Sequence, residues 1–276
     1  MFGKSRDYYY KCKYRAKEKV NQDKETLEFV HEAKSILQKE GGRKLYDRLK
    51  PKFLQNHIKI GRDKFLNLLR VNGLLQKKKK FKQPKTDSDH PFRKHKNLLK
   101  GTIVNRPDQV YASDITYIKV NGEWNYLTLI MDLFSRKIMG YQLSKGMKVS
   151  QTTLPAIKMA LKNRKNKELT ILHSDRGFQY CNPNFVKHNA KYNIIPSMTN
   201  NGNPYENAAA ERLNGILKYE FDLKDHFKNF DIAKIEVDRA IKLYNDYRTH
   251  WALDLKTPNQ VYSNPKNFNP KNVPCY

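Results

Sequence analysis

The chain has 276 residues, with 54 Lys and Arg against 27 Asp and Glu and a formal net charge of +27. That excess is far beyond what solubility requires and points to a polyanionic partner, and the length suggests about two domains. Three widely separated cysteines, Cys12, Cys181 and Cys275, argue against a disulfide framework or a zinc module, and no apolar run of signal-peptide or membrane-span type is present.

Residues 1–24 are charged and aromatic without a clear period and support no element. Leu27, Val30, Ala33 and Leu37 then recur at helical spacing, and Gly41-Gly42 is expected to close that helix. Arg43 to Leu49 predicts a second short helix, stopped by Pro51. After Ile58-Lys-Ile-Gly61 a third helix is expected from Arg62 to about Asn72, with Gly73 at its C-cap. Phe65, Leu68 and Leu69 would face inward, leaving Arg62, Lys64, Asn67 and Arg70 outward. A helix-turn-helix with a basic last helix suits the major groove of DNA; a small helical bundle with a solvated charged face fits the pattern equally well.

Residues 76–104 read as a basic linker carrying Lys77, Lys78, Lys79, Lys80, Lys82, Lys85, Arg93, Lys94, Lys96 and Lys100. Such a charge run is expected to be solvated and to add salt-dependent, sequence-blind phosphate contacts. Of the net +27, +18 falls in residues 1–100, where 29 Lys and Arg face 11 Asp and Glu.

From residue 105 the pattern becomes α/β. Tyr111 to Val120 predicts a strand, Asn121-Gly122 a tight hairpin turn, and Trp124 to Phe134 the return strand. The centre of the return strand, Tyr126 to Met131, is nearly all apolar, as in a strand buried on both faces. Ser135 to Lys137 turns the chain into Ile138–Leu143. A helix from about Val149 to Lys162 and a strand ending at Asp175 follow.

Three acids stand out: Asp114 in mid-strand, Asp175 at a strand end, and Glu211 in a helix opening after Asn203-Pro204. Sixty residues separate the first two and 35 the last two. Carboxylates are hard oxygen ligands suited to Mg²⁺, and two such ions about 4 Å apart can clamp an in-line phosphoryl displacement. Each acid also has a plain structural reading. Asp114 could cap a turn or an edge, and Asp175 could be the turn residue of Asp-Arg-Gly. Asn207, Glu211, Asn214 and Lys218, at i, i+4, i+7 and i+11, could be the wet side of their helix. His173 shares a strand face with Asp175 and either steadies the site or fills a polar pocket. Asp132, after an apolar strand, reads as a hydrogen-bonding prop.

The strings around Asp114, His173-Ser-Asp-Arg-Gly-Phe-Gln-Tyr180 and Asn203-Pro-Tyr-Glu-Asn-Ala-Ala-Ala-Glu211 resemble the catalytic core of bacterial insertion-sequence transposases. These belong to the acidic-triad (DDE) superfamily, which also contains retroviral integrases; the nearer likeness is to the second-reading-frame type of the two-frame group. The resemblance spans residues 25 to 262 and takes in Lys218, Tyr244-Asn-Asp-Tyr-Arg-Thr-His250 and Thr257-Pro258. One departure is Glu206, where relatives carry Asp before Asn-Ala.

The resemblance implies an all-helical helix-turn-helix region over residues 1–75 and a ribonuclease-H-like integrase core with a C-terminal helical extension over 105–276. It implies that Asp114, Asp175 and Glu211 hold two Mg²⁺ ions, for which Mn²⁺ can substitute, and that Lys218 touches the DNA backbone. The activity implied is hydrolysis and strand transfer at the ends of an insertion sequence. Its partners would be the terminal inverted repeats and target DNA, further copies of the chain on DNA, and an upstream-frame product as fusion or partner. No membrane is involved in this reading, which puts the protein in the cytoplasm on the nucleoid. Two other readings stay open, a ribonuclease-H-fold nuclease and a catalytically decayed DNA-binding repressor; the intact acids argue against the second.

Overall fold

In a computed structural model the described residues are 6–76, 90–200, 204–224 and 227–268. The chain divides into two compact units, Met1–Lys80 and Phe81–Tyr276.

The first unit is all helical: α1 (Arg6–Ile36), α2 (Gly42–Gln55) and α3 (Arg62–Val71). Val30, Ala33, Leu45, Leu49, Phe53, Ile58, Phe65 and Leu69 form its core, with the Phe65 ring 5.4 Å from Tyr46 and 5.7 Å from Phe53. Only the C-terminal part of α1 contributes. Residues 6–21 are exposed, so this stretch has no apolar period to read, and the helix nevertheless begins at Arg6. Gly41-Gly42 does not close α1, which ends at Ile36; the pair opens α2, with Gly41 at its N-cap. The reason is packing: a Cβ on Gly42 would lie 2.8 Å from Leu66 Cδ2 and 3.0 Å from Leu75 Cδ2. Pro51 does not stop α2 either but sits inside it. Proline in a helix interior costs about 3 kcal/mol, and here burial of Leu45, Leu49 and Phe53 along the same helix outweighs it. The third helix runs as expected, capped past Asn72 by Gly73 at φ +67°.

The second unit is built on β1 (Val110–Val120), β2 (Glu123–Asp132), β3 (Ile138–Ser144), β4 (Thr170–Ser174) and β5 (Ile194–Met198). They form one mixed sheet in the order β3-β2-β1-β4-β5. The first three strands are an antiparallel meander turning at Asn121-Gly122, whereas β4 and β5 join parallel to β1 and to β4 respectively. As the apolar run predicts, β2 lies between two strands and is buried on both faces.

Helices α4 (Thr153–Asn163), α5 (Phe178–Cys181) and α6 (Pro183–Ala190) are followed by a 3-10 turn, Pro204–Asn207. Then come α7 (Ala208–Glu220), α8 (Phe230–Asp246) and α9 (Pro258–Ser263). Even-numbered β1 residues (Val110, Ala112, Ile118, Val120) pack with Leu213 and Leu217 of α7 and Val237 and Ile241 of α8. Tyr111, on the opposite face, packs with Ala156, Ile157 and Ala160 of α4 and Phe185 of α6. Close approach of α4 demands Gly140, because a Cβ there would collide with the Ala156 carbonyl oxygen. Thr257 and Gln260 form a capping box that starts α9.

Residues 90–104 differ from the solvated linker the charges suggest. Phe92 packs against one core, and Leu99 and Val104 are buried in the other. Leu98 N donates to Ser197 Oγ (2.9 Å) and Met198 N to the Lys96 carbonyl (3.4 Å). The segment thus covers the outer strand, β5, whose edge would otherwise be open. Lys77 to Lys80, Lys82 and Lys85 lie outside the described residues.

Candidate active site

The register of the sheet brings the first two acids together. The last β1–β4 pair is Ala112–His173, so Asp114 and Asp175 each stand two residues further, side by side where the parallel strands part. Crevices beyond the carboxyl ends of parallel strands are where open α/β sheets place their ligands. Asp114 is partly buried; its Oδ1 accepts from its neighbour Ile115 N (2.9 Å), and its Oδ2 from Asn214 Nδ2 (2.7 Å). Asp175 Oδ1 accepts from Gly177 N at 3.0 Å, so this carboxylate does make the turn bond that Asp-Arg-Gly suggests. The bond uses one oxygen.

Helix α7 supplies the third acid. Asn207 Nδ2 donates to the Ser113 carbonyl (3.4 Å) and Asn214 to Asp114. These two bonds, four residues before Glu211 and three after it, fasten the helix over β1. Asn207, Asn214 and Lys218 are buried, while Glu211 is exposed in the first α-helical turn. The stripe is therefore not a wet face, and Lys218, at 7% exposure, is not one more solvated lysine.

The electrostatics are those of crowded carboxylates. Burial, then the charge of Asp175, pushes the Asp114 pKa up to about 8, with Glu211 adding to the shift and the Ile115 and Asn214 bonds opposing it. Burial raises Asp175, against the Gly177 N–H and the charge of His90, and partial loss of hydration beside the sheet raises the largely exposed Glu211. Carboxylate oxygens are hard donors of the kind a divalent cation takes, and a cation would offset their shared charge. They are not gathered into one coordination shell: among the described residues no group of three or more His, Cys, Asp or Glu is close enough to hold a metal ion.

His173 is fully buried, with Nδ1 2.9 Å from Ser197 Oγ. Burial lowers its pKa to about 4, so the ring is neutral and fills a polar pocket beneath the strand end. Asp132 takes the role of a prop. Its Oδ1 accepts from Asp108 N (2.9 Å) and its Oδ2 from Ser135 N (2.9 Å) and Ser135 Oγ (2.5 Å). His90 escaped the sequence reading: its Nε2 lies 2.6 Å from the Arg176 carbonyl oxygen, beside Asp175. Nothing local in His90-Pro-Phe-Arg marks that reach, which depends on residues 90–104 lying along the sheet.

The comparisons with known proteins bear on this unit. Integrase core domain models match residues 104–204 and 192–258. The transposase InsF for insertion sequence IS3A of Escherichia coli (strain K12) is 33% identical over 208 residues, 74% of this chain and 69% of that one. The insertion element IS600 uncharacterized 31 kDa protein of Shigella sonnei is 31% identical over 262 residues, 94% of each chain. The chain belongs to the bacterial insertion-sequence transposases with an integrase core. The fold of such a transposase is found again in a simian T-cell lymphotropic virus intasome, solved in complex with PP2A regulatory subunit B56 gamma. That structure has a TM-score of 0.50 and 19% identity, covering 80% of this chain and 74% of the other. The transposase core is thus ribonuclease-H-like, as its strand order indicates. Among the described residues no helix is long and apolar enough to cross a membrane.

The candidate DNA-contact residues Arg62, Lys64, Asn67 and Arg70 all lie on the exposed face of α3. Arg70 donates to Asn67 Oδ1 (3.2 Å) and Arg62 pairs with Asp63 (3.3 Å). Lys77, Lys78, Lys79 and Lys80 lie outside the described residues.

Proposed function

We propose that this chain is a DNA transposase that cuts and joins phosphodiesters at the ends of an insertion sequence, using Asp114, Asp175 and Glu211. The observation that carries the reading is the strand register that sets Asp114 beside Asp175, together with the two asparagine bonds that hold the helix of Glu211 over Asp114. Two Mg²⁺ ions, or Mn²⁺ in their place, would when bound stabilise charge on the attacking and leaving oxygens.

The chain's own groups do the rest. Asp114 and Asp175 present oxygen donors from a rigid sheet, so their placement does not depend on a loop. Asn214 turns the Asp114 carboxylate by holding one oxygen. Glu211, on the accessible side of α7, would supply the third donor. Lys218, two turns further along the helix, would set a phosphate of the cut strand as a point charge. No side chain has to become covalently attached to DNA, so one site can serve first a water and then a 3′-OH as nucleophile.

DNA would be gripped by the basic face of α3 and by the charge run Lys77–Lys80, and at least two copies would assemble to bring both element ends together. The test is Mg²⁺-dependent cleavage and strand transfer on an element-end duplex. Activity that survives removal of divalent ions from the purified protein would contradict the reading.

A further inference from the structure

The β1–β2 hairpin carries an aromatic patch that neither core uses. Tyr117 and Lys119 pair across the hairpin with Tyr126 and Trp124, so all four side chains leave the same face. The Tyr117 ring stands edge-on to Trp124 at 6.0 Å and to Tyr126 at 5.4 Å, and Lys119 Nζ lies 5.0 Å from the Trp124 ring centre. None of the three rings packs on either hydrophobic cluster, and Trp124 is 51% exposed.

Position gives the patch its meaning. β4 pairs with β1 only over Val110–Ala112, so this half of the hairpin projects beyond the parallel side of the sheet, past the crevice that holds the acids. Tyr117 is three residues from Asp114 on one strand, about 10 Å at strand rise, and the odd offset turns its ring to the other face of the sheet. A strand held at the acids would therefore reach the platform around the β1 edge that β4 leaves unpaired beyond Ala112. After burial and Tyr126, the charges of Asp175 and Asp114 raise the Tyr117 hydroxyl pKa, which agrees with that proximity. Cross-strand aromatic pairs do stabilise hairpins, but that purpose calls for neither a half-exposed indole nor a lysine above it. Rings beside a cation, in a chain of net charge +27, match a nucleic-acid base and its phosphate: every base offers a π-face, and stacking is tolerant of sequence.

We propose that Tyr117, Trp124 and Tyr126 form a stacking platform for an unpaired base of the DNA strand engaged at the acidic crevice, with Lys119 taking the adjoining phosphate. The inference rests on reading that crevice as a DNA-cutting centre, and it adds that the enzyme holds the strand locally unpaired there.

The test uses the full chain with Trp251→Phe, which leaves Trp124 as the single tryptophan of the two present. End duplexes, either blunt or with a short unpaired extension next to the cleavage position, are titrated in Ca²⁺ at fixed salt. The extension should quench Trp124 and tighten binding about tenfold, within the range of one stacked base. Trp124→Ala and Tyr117→Leu, made in the natural chain, should lose that gain while binding blunt duplex as before; Trp124→Phe should keep most of it. Matching melting temperatures across the variants verify folding. Equal affinity and fluorescence for both duplexes overturn the platform and leave the cutting centre intact. Altered self-association of Trp124→Ala with unchanged DNA binding would give the patch to a second copy, and also overturns it. Failure of the natural chain to bind either duplex overturns both readings together.

Discussion

Asn214 Nδ2 donates to Asp114 Oδ2 at 2.7 Å across the boundary between α7 and the sheet. This bond fixes the orientation of one acid and the seat of the helix that carries another. Groups that orient a metal's ligands matter nearly as much as the ligands, and their loss commonly costs about 10–100-fold in metal affinity or activity. Asn214→Ala should therefore weaken Mg²⁺ affinity and cleavage by about that range, with DNA binding retained. Asn214→Asp should do worse, since a further carboxylate would meet an acid already raised to about 8. An Mg²⁺ titration of cleavage rate decides the matter; a wild-type curve for Asn214→Ala would contradict it.

Asp132 should matter for stability and not for chemistry. It is fully buried, and burial pushes its pKa from 3.8 up to about 6. A raised carboxylate means that the folded state holds the proton more tightly than the unfolded one. The associated stability is present below pH 4 and is lost as pH rises to about 6, a difference of about 3 kcal/mol in order of magnitude. Asp132→Asn removes the titration, so the fall in urea-unfolding stability across this window should flatten relative to wild type. The Mg²⁺ dependence of cleavage should stay put. Parallel pH curves for the two proteins would count against the assignment.

Lys218 separates a cleft lysine from a packing lysine. Because it is buried, the informative change is Lys218→Met, which keeps the stem and removes the charge. Cleavage and strand transfer should fall about tenfold or more through misplacement of the scissile phosphate, while melting temperature holds. Lys224→Ala and Lys234→Ala, at exposed positions, are the controls. Equal rates for all three variants would remove Lys218 from the site.

The outward face of α3 should carry sequence preference. Replacing Arg62, Asn67 and Arg70 together with Ala should flatten discrimination between element ends and random duplex, because base contacts specify whereas phosphate contacts position. Neutralising Lys77 to Lys80 should instead weaken binding to all sequences and reduce its salt dependence, by a slope of about 0.9 for each phosphate that is no longer neutralised. Discrimination that survives the α3 changes intact would exclude that helix as the reader.

The core was legible because burial there follows simple periods. Tyr126 to Met131 has the apolar run of a strand covered on both faces, and Asn121-Gly122 is a strong signal for a tight hairpin turn. Asp114 and Asp175 stood out because an Asp in mid-strand and an Asp ending an apolar strand need an explanation, and the register that sets them side by side comes only from the sheet. What stayed hidden lacked a side-chain period. The first turns of α1 bury nothing, so Arg6 to Asn21 carry no stripe. Residues 90–104 dock partly through backbone atoms, as in the Met198 N–Lys96 O bond, and lysines there disguise the docking. Pro51 and Gly41-Gly42 were read by local rules that tertiary packing of Phe53 and Leu66 overrides. Asn214 was visible as part of a polar stripe, but its grip on Asp114 depends on how α7 crosses β1, which no spacing encodes.

The central claim is that Asp114, Asp175 and Glu211 act as one metal-dependent site. The direct measurement is cleavage of an element-end duplex by Asp114→Asn, Asp175→Asn and Glu211→Gln, each beside wild type in Mg²⁺, with duplex affinity measured in parallel. Each change keeps the shape of the side chain and removes one charge, so each variant should bind DNA within a few-fold of wild type and cut none of it. Full cleavage by any one variant would take that residue out of the site, and full cleavage by all three would contradict the account.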